Sequence, residues 1–341
     1  MGVRTTQRSL SAYPAIAFLI AAELAAPAYS QQSASWEDPS PHVQRFVSVE
    51  KDVQLEVLDW GGNGTPVVLL AGGGNTAHVF DDFAPKLTTH HHVYGITRRG
   101  FGASGFSTAE NVVDRLRDDV LGVLDALKLE RAVLVGHSIA GAELSAVATA
   151  KPNRVSALVY LEAGYPYAFD NGQGPTMKEF QASGPRLPRP SESDLASFSS
   201  LQAWDAEVFG FRKPEAEFRH TWNSDSPGRP RTPRDFPGSQ SFAVIMTNTK
   251  KYTAIPVPAL MIFAIPHIPE NWIAKSADST IRDAASVYLT AIDAAAERQA
   301  RQIEAAVPTA RVVRLRAAHH VFLSNERDTL REMRAFLVGL K

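Results

Sequence analysis

The chain has 341 residues, 44% hydrophobic and 21% charged, which allows a large buried core and excludes a disordered or fibrous chain. A formal charge of −1 leaves no basic field for nucleic acid or an anionic membrane surface, so a small neutral or weakly charged partner is expected. With no cysteine, thiolate metal ligands, cysteine nucleophiles and disulfides are excluded.

In chain order, Arg4 and Arg8 precede the apolar run of residues 15–22, and Ala28 and Ser30 have the small-residue spacing that a signal peptidase reads. Residues 1–30 are therefore read as a signal peptide cleaved after Ser30, and the mature chain as exported, periplasmic or secreted. The apolar run is too short to span a bilayer, so no stable membrane insertion of the mature chain is expected. Val53, Leu55 and Val57 alternate with polar neighbours, which predicts an antiparallel strand with one wet face and a hairpin ahead of the main sheet.

Four later runs are continuously apolar: PVVLLAG from Pro66, AVLVGH from Ala132, ALVYLEAG from Ala157 and PALMIFA from Pro258. Strands of this kind are buried on both faces, as in a parallel sheet covered by helices. Between and after them lie amphipathic segments. One carries Val112, Leu116, Val120, Leu121, Leu124 and Leu127, and a final one Leu330, Met333, Phe336 and Leu337. The alternation predicts an α/β fold with a doubly wound, mostly parallel sheet. The triplet His90–His92 cannot converge on one ion from an extended chain, because successive side chains face opposite ways. It is read as a solvated loop before the strand VYGIT, and no metal or cofactor site is expected.

From residue 165 to 250 the pattern gives way to Pro-, Gly- and Ser-rich stretches around a helical piece from Ser193 to Asn223. Such a length between core strands is read as a cap or lid, which leaves the core in two parts, residues 31–164 and 251–341. Trp204, Phe209, Phe211, Phe218 and Trp222 are read as the cap's own small core, or else as the lining of a pocket.

The stretch VLVGHSIAG, Val133 to Gly141, carries the chemistry. Small residues flanking Ser138 allow a sharp strand-to-helix turn that lifts the hydroxyl to the carboxyl end of the sheet, where open α/β folds hold ligands. The segment resembles the nucleophile elbow G-x-S-x-G of the α/β-hydrolase superfamily, in its serine-nucleophile, esterase- and lipase-like branch. Here Ala140 stands at the last position and Gly141 one place later. The stretch GITRRGFGASG resembles that family's D-x-R-G-x-G-x-S segment with Thr97 in place of Asp, and its Arg99, Gly100, Gly102 and Ser104 are read as shaping a turn.

The resemblance implies the remaining roles. His319 fits the catalytic base by its distance to Leu323 and to the pair Phe336 and Leu337; His320 is the alternative. The family's usual acid position, near residues 265–267, holds Ile, Pro and His, so the acid is assigned to Glu162 at the end of an earlier core strand, with Glu270 as the alternative. In the oxyanion hole, donors are expected from Ile139, after the nucleophile, and from Gly73 and secondarily Gly74 in the loop AGGGNTAHVF. The function implied is cleavage of a small carboxylic ester, or a related acyl compound, through an acyl-enzyme. Lactonase, acyltransferase or carbon–carbon hydrolase chemistry stays open, as does a non-catalytic ligand-binding protein of the same fold.

Overall fold

The computed structural model describes residues 36–340 apart from 182, 183, 227 and 248, so the expected signal peptide lies outside the described residues. The chain opens with strands β1 (Val43–Glu50) and β2 (Val53–Gly61), paired antiparallel as a hairpin. Strands β3 (Thr65–Leu70), β4 (His91–Ile96), β5 (Ala132–His137) and β6 (Val155–Leu161) follow, the last three connections being helical in part. A two-stranded ribbon, β7 (Trp222–Ser224) with β8 (Pro230–Pro233), stands apart. Strands β9 (Ala259–His267) and β10 (Ala310–Ala317) complete an eight-stranded sheet of order β1-β2-β4-β3-β5-β6-β9-β10. Every pairing from β4 to β10 is parallel.

Alternate residues of the apolar strands feed two separate cores, which is why these runs show no polar phase. Val68, Leu70, Leu134, Leu158 and Tyr160 pack on one face beneath the helices α1 (Val112–Ala126), α2 (Ala140–Ala150) and α7 (Ser279–Ala306). Val67, Leu69, Val133, Val135 and Val159 pack on the other, against Phe80, Phe83 and the terminal helices α8 (Val321–Ser324) and α9 (Glu326–Val338). In α1 the fully buried stripe is Val113, Leu116, Val120, Val123 and Leu124, while Val112, Leu121 and Leu127 are only partly covered.

Two local expectations are corrected. β2 does not have a wet face: Glu56 and Asp59 are buried, because further protein covers them and supplies partners. Asp59 meets Arg45 and His92, and Glu56 accepts from Gln44 and Thr97. For the same reason the His triplet is not a solvated loop. β4 starts at His91, and His92 bonds Asp59 at 2.8 Å while stacking on Tyr94.

Between β6 and β9 lie α3 (Phe198–Phe209), α4 (Glu215–Thr221) and α5 (Ser239–Met246), and a short α6 (Asn271–Ala274) follows β9. The single helical piece expected from Ser193 to Asn223 is thus two helices, stopped at Gly210 with φ +85° and restarted after Pro214. Phe198, Leu201 and Phe218 form a small cluster joined by Trp204 and Trp222. Phe209 instead lines the cavity beside Ser138, and Phe211 packs on His320.

α2 explains the displaced glycine of the elbow. A Cβ on Gly141 would stand 2.0 Å from the Ala163 carbonyl oxygen, an atom of the backbone that cannot swing away. Gly141→Ala is expected to destabilise the fold by about 3 kcal/mol or more, read as a lower urea midpoint, whereas Ala148→Gly, in the same helix, is expected to cost about 1 kcal/mol.

Candidate active site

The site grows from the carboxyl ends of β5, β6 and β10. Ser138 follows β5 with φ +53°, a left-handed conformation for a residue that has a Cβ. Its amide donates to the Leu161 carbonyl, and α2 begins two residues later, so the side chain is carried up at the head of the helix. His319 lies in the loop between β10 and α8, with its Nε2 at 3.0 Å from Ser138 Oγ. The hydroxyl donates to the unprotonated nitrogen. The neighbouring His320 turns away, its Nε2 lying 3.3 Å from Asn75 Oδ1.

His137 fixes this meeting from below. Its buried ring contacts the His319 carbonyl through Nε2 at 3.1 Å, and burial keeps its pKa well below the ordinary imidazole value, so the neutral ring donates. The sequence signal for this role is slight, since the residue before a nucleophile carries no pattern that marks its partner. His319 borders the cavity and meets solvent through it, while the protein packed around it lowers its pKa. The charge of Glu162 acts the other way and favours the imidazolium.

Glu162 follows β6 at φ +49° and is fully buried. Its carboxylate accepts from the Ala264 amide and the Tyr165 hydroxyl, and His267 Nε2 lies 3.2 Å from Oε1. Among the described residues none of its hydrogen bonds goes to His319, so its effect on that ring is through charge. The alternative acid, Glu270, also lines the cavity but accepts from Trp272 Nε1 at 2.6 Å, and burial raises its pKa.

His267, which vacates the usual acid position, therefore stands behind Glu162. Its Nδ1 is 2.7 Å from Asp293 Oδ1 on α7, and the two carboxylates push its pKa up to about 9 against the opposing effect of burial. A folded-state pKa above the ordinary imidazole value stabilises the fold fully at pH below about 6.5, and the contribution is lost as pH rises towards 9. Wild type is expected to lose about 3 kcal/mol of unfolding free energy between pH 6 and 9.5 from this group, and His267→Gln to flatten that slope in urea titrations.

The loop after β3 approaches the nucleophile from the other side. A Cβ on Gly73 would come within 3.4 Å of Ile139 Cδ1 and 2.8 Å of the Phe242 ring, so bare backbone is needed there. Among the described residues neither the Gly73 nor the Ile139 amide donates to a protein acceptor, which leaves both free for a substrate oxygen. Gly74 is exposed, and a Cβ there would meet nothing within 4 Å, so it is not packed against Ser138. Arg98 holds this loop, donating to the Ala71 carbonyl at 2.8 Å and the Gly72 carbonyl at 3.2 Å while paired with Glu143 of α2. Of the turn residues, Arg99 pairs with Asp119 of α1, and Ser104 bridges the Glu56 amide and the Thr97 carbonyl.

Ser138, Ile139 and His319 open into a cavity of about 550 Å³ whose walls include Phe180, Phe209 and Phe242. A larger hollow, about 880 Å³, lies at the opposite ends of the strands between Lys86, Arg131 and Arg334, away from every residue just described. Open α/β sheets hold their ligands at the carboxyl ends of the strands, which favours the smaller cavity.

A mostly parallel sheet, with a serine held left-handed between strand and helix and a histidine beyond the last strand within hydrogen-bond reach, defines an α/β protein of the hydrolase type. The chain belongs to the alpha/beta hydrolase family, whose model it matches over residues 67–332. It is 28% identical over 172 residues to the dihydrolipoyllysine-residue acetyltransferase component of the acetoin cleaving system of Pseudomonas putida, covering 45% of this chain and 46% of that one. A bifunctional esterase/perhydrolase of Acinetobacter calcoaceticus is 26% identical over 183 residues, covering 50% of this chain and 63% of that one. The chain thus spans about half the length of these relatives. In structure it is similar to E-2-(acetamidomethylene)succinate hydrolase, with TM-score 0.57 at 16% identity over 87% of this chain and 99% of that one. Among the described residues no helix is long and apolar enough to cross a membrane.

Proposed function

We propose that the chain is a serine hydrolase that cleaves small carboxylic esters through an acyl-enzyme. Ser138 Oγ attacks the acyl carbonyl while His319 Nε2 takes its proton, and the oxyanion is received by the amides of Gly73 and Ile139. His319 returns the proton to the departing alcohol. Water, activated by the same nitrogen, then frees the acid and restores the hydroxyl. Glu162 favours the imidazolium in both transition states by its charge. The observation that carries this reading is the 3.0 Å approach of Ser138 Oγ to His319 Nε2 at the mouth of the aromatic-walled cavity.

A cavity of about 550 Å³ suits an acyl or aryl group of modest size. The test is a fluorophosphonate probe together with p-nitrophenyl esters of graded chain length. Labelling of wild type but not of Ser138→Ala, with turnover falling off for long acyl chains, supports the proposal. A folded wild type that neither labels nor turns over any ester returns the chain to a binding role.

A further inference from the structure

We propose that Asp38, His42, His78 and Asp81 form a site for one divalent transition-metal ion, zinc before the others, which ties the segment ahead of β1 to the turn behind the glycine loop. The four residues come from two places. Asp38 and His42 precede β1, His78 lies in the 3₁₀ turn Ala77–Phe80, and Asp81 caps that turn. One donor atom from each lies within 4.8 Å of every other.

The side chains stand at distances close to those of a ligand shell, and since the contacts use both nitrogens of His42 and both oxygens of Asp81, one donor atom of each would turn to the ion. His78 Nδ1 is 3.3 Å from Asp38 Oδ2 and 2.9 Å from Asp81 Oδ2, and His42 lies 2.9 Å from Asp81 Oδ1 through Nδ1 and 3.8 Å from Asp38 Oδ2 through Nε2. Ligands at about 2 Å from a tetrahedral zinc stand about 3.3 Å apart, so small movements close the shell. The His42 and His78 rings meet edge to face, with centroids 5.2 Å apart at 67°, so they are not stacked. Two imidazoles with two carboxylates match zinc and its first-row neighbours better than calcium or magnesium, which take oxygen alone.

Behind this shell sits an orienting carboxylate. With Nδ1 given to the ion, His78 has Nε2 for a proton, and Glu56 Oε1 waits 3.5 Å away. Nε2 is buried and has no hydrogen-bond partner among the described residues. A carboxylate at that place fixes the tautomer of a metal-bound histidine. Glu56 is itself held by Gln44 and Thr97. His220 of α4 also approaches, with a donor atom within 4.8 Å of His78 and Glu56, but its ring stacks face to face on His78 with centroids 3.9 Å apart at 25°, so the in-plane lone pairs of the two rings run side by side and His220 is read as a cover on the ligand.

Charge asks for the same occupant. Asp38, Asp81 and Glu56 are three carboxylates, and among the described residues no Lys or Arg forms an ion pair with any of them. A dication offsets what imidazoles alone do not. Asp38 is the accessible edge, with its side chain 20% exposed against 2% for Asp81, and gives the ion its way in.

The test uses untagged, full-length protein stripped with EDTA and titrated with zinc chloride by calorimetry, with thermal unfolding followed in parallel. His78 is deeply buried and central to the network, so the variants are Asp38→Asn, at the accessible edge of the cluster, and His42→Ala. One zinc per chain at micromolar or tighter affinity, a thermal midpoint raised by several degrees, and at least tenfold weaker binding in both variants are expected. Ester turnover, which uses none of these residues, is expected to persist in both variants. Absence of saturable binding in wild type, or unchanged affinity in either folded variant, overturns the proposal and leaves the cluster a proton-held network.

Discussion

Replacing Ser138 with Ala is expected to lower kcat for a short p-nitrophenyl ester by about 10⁵, with His319→Ala close behind and the double variant no worse than either alone. The non-additivity is the informative part. The hydroxyl without its base is a weak nucleophile, and the imidazole without its hydroxyl has nothing to activate, so the second deletion removes what the first has already disabled. Burst kinetics and turnover on the three variants check it, and additive losses would mean that the two side chains work separately in spite of their 3.0 Å approach. Loss of folding does not explain such a result, because Ser138 sits at φ +53°, where a side chain costs about 1–2 kcal/mol. Ser138→Gly is therefore expected to be equally inactive and at least as stable as Ser138→Ala in urea.

Glu162→Gln is expected to lower kcat by about 10³, and Glu270→Gln by no more than a few-fold. Both residues are acidic and near the cavity, but only Glu162 favours a proton on His319. Burial depresses the pKa of His319 and Glu162 opposes that effect, so removing the charge is expected to move the acid limb of kcat/KM to lower pH. Glu270→Gln is expected to leave the limb in place, since that carboxylate is engaged with Trp272. A purely structural role for Glu162 would lower the unfolding midpoint without moving the limb. The reverse ranking of the two variants would assign the acid to Glu270.

The four central strands β3, β5, β6 and β9 were legible because each is short, apolar on both faces and bounded by small or polar residues, and Ala132–His137 follows from that pattern alone. The elbow was legible for a related reason: small residues are needed wherever strand and helix backbones close up, and Gly141 against the Ala163 carbonyl records that need one position late. That His319 meets Ser138 was expected only through the resemblance to the hydrolase family, by its distance to Leu323 and to the pair Phe336 and Leu337. The wet face expected of β2 failed because local alternation counts polar residues but not what later folds over them, here the partners of Glu56 and Asp59.

What the sequence by itself determined is therefore the sheet, its two apolar faces and the residue types able to do acyl chemistry, all of which are written in patterns a few residues long. The tertiary structure alone decided which groups meet: His267 behind Glu162 and against Asp293, Arg98 on the carbonyls of the glycine loop, and His42 beside Asp81. Those contacts join positions from 26 to 105 residues apart, and Ser138 meets His319 across 181. Side-chain periodicity decays within a helix or strand, so such meetings leave no local trace and exist only once the sheet has set the distance between its loops.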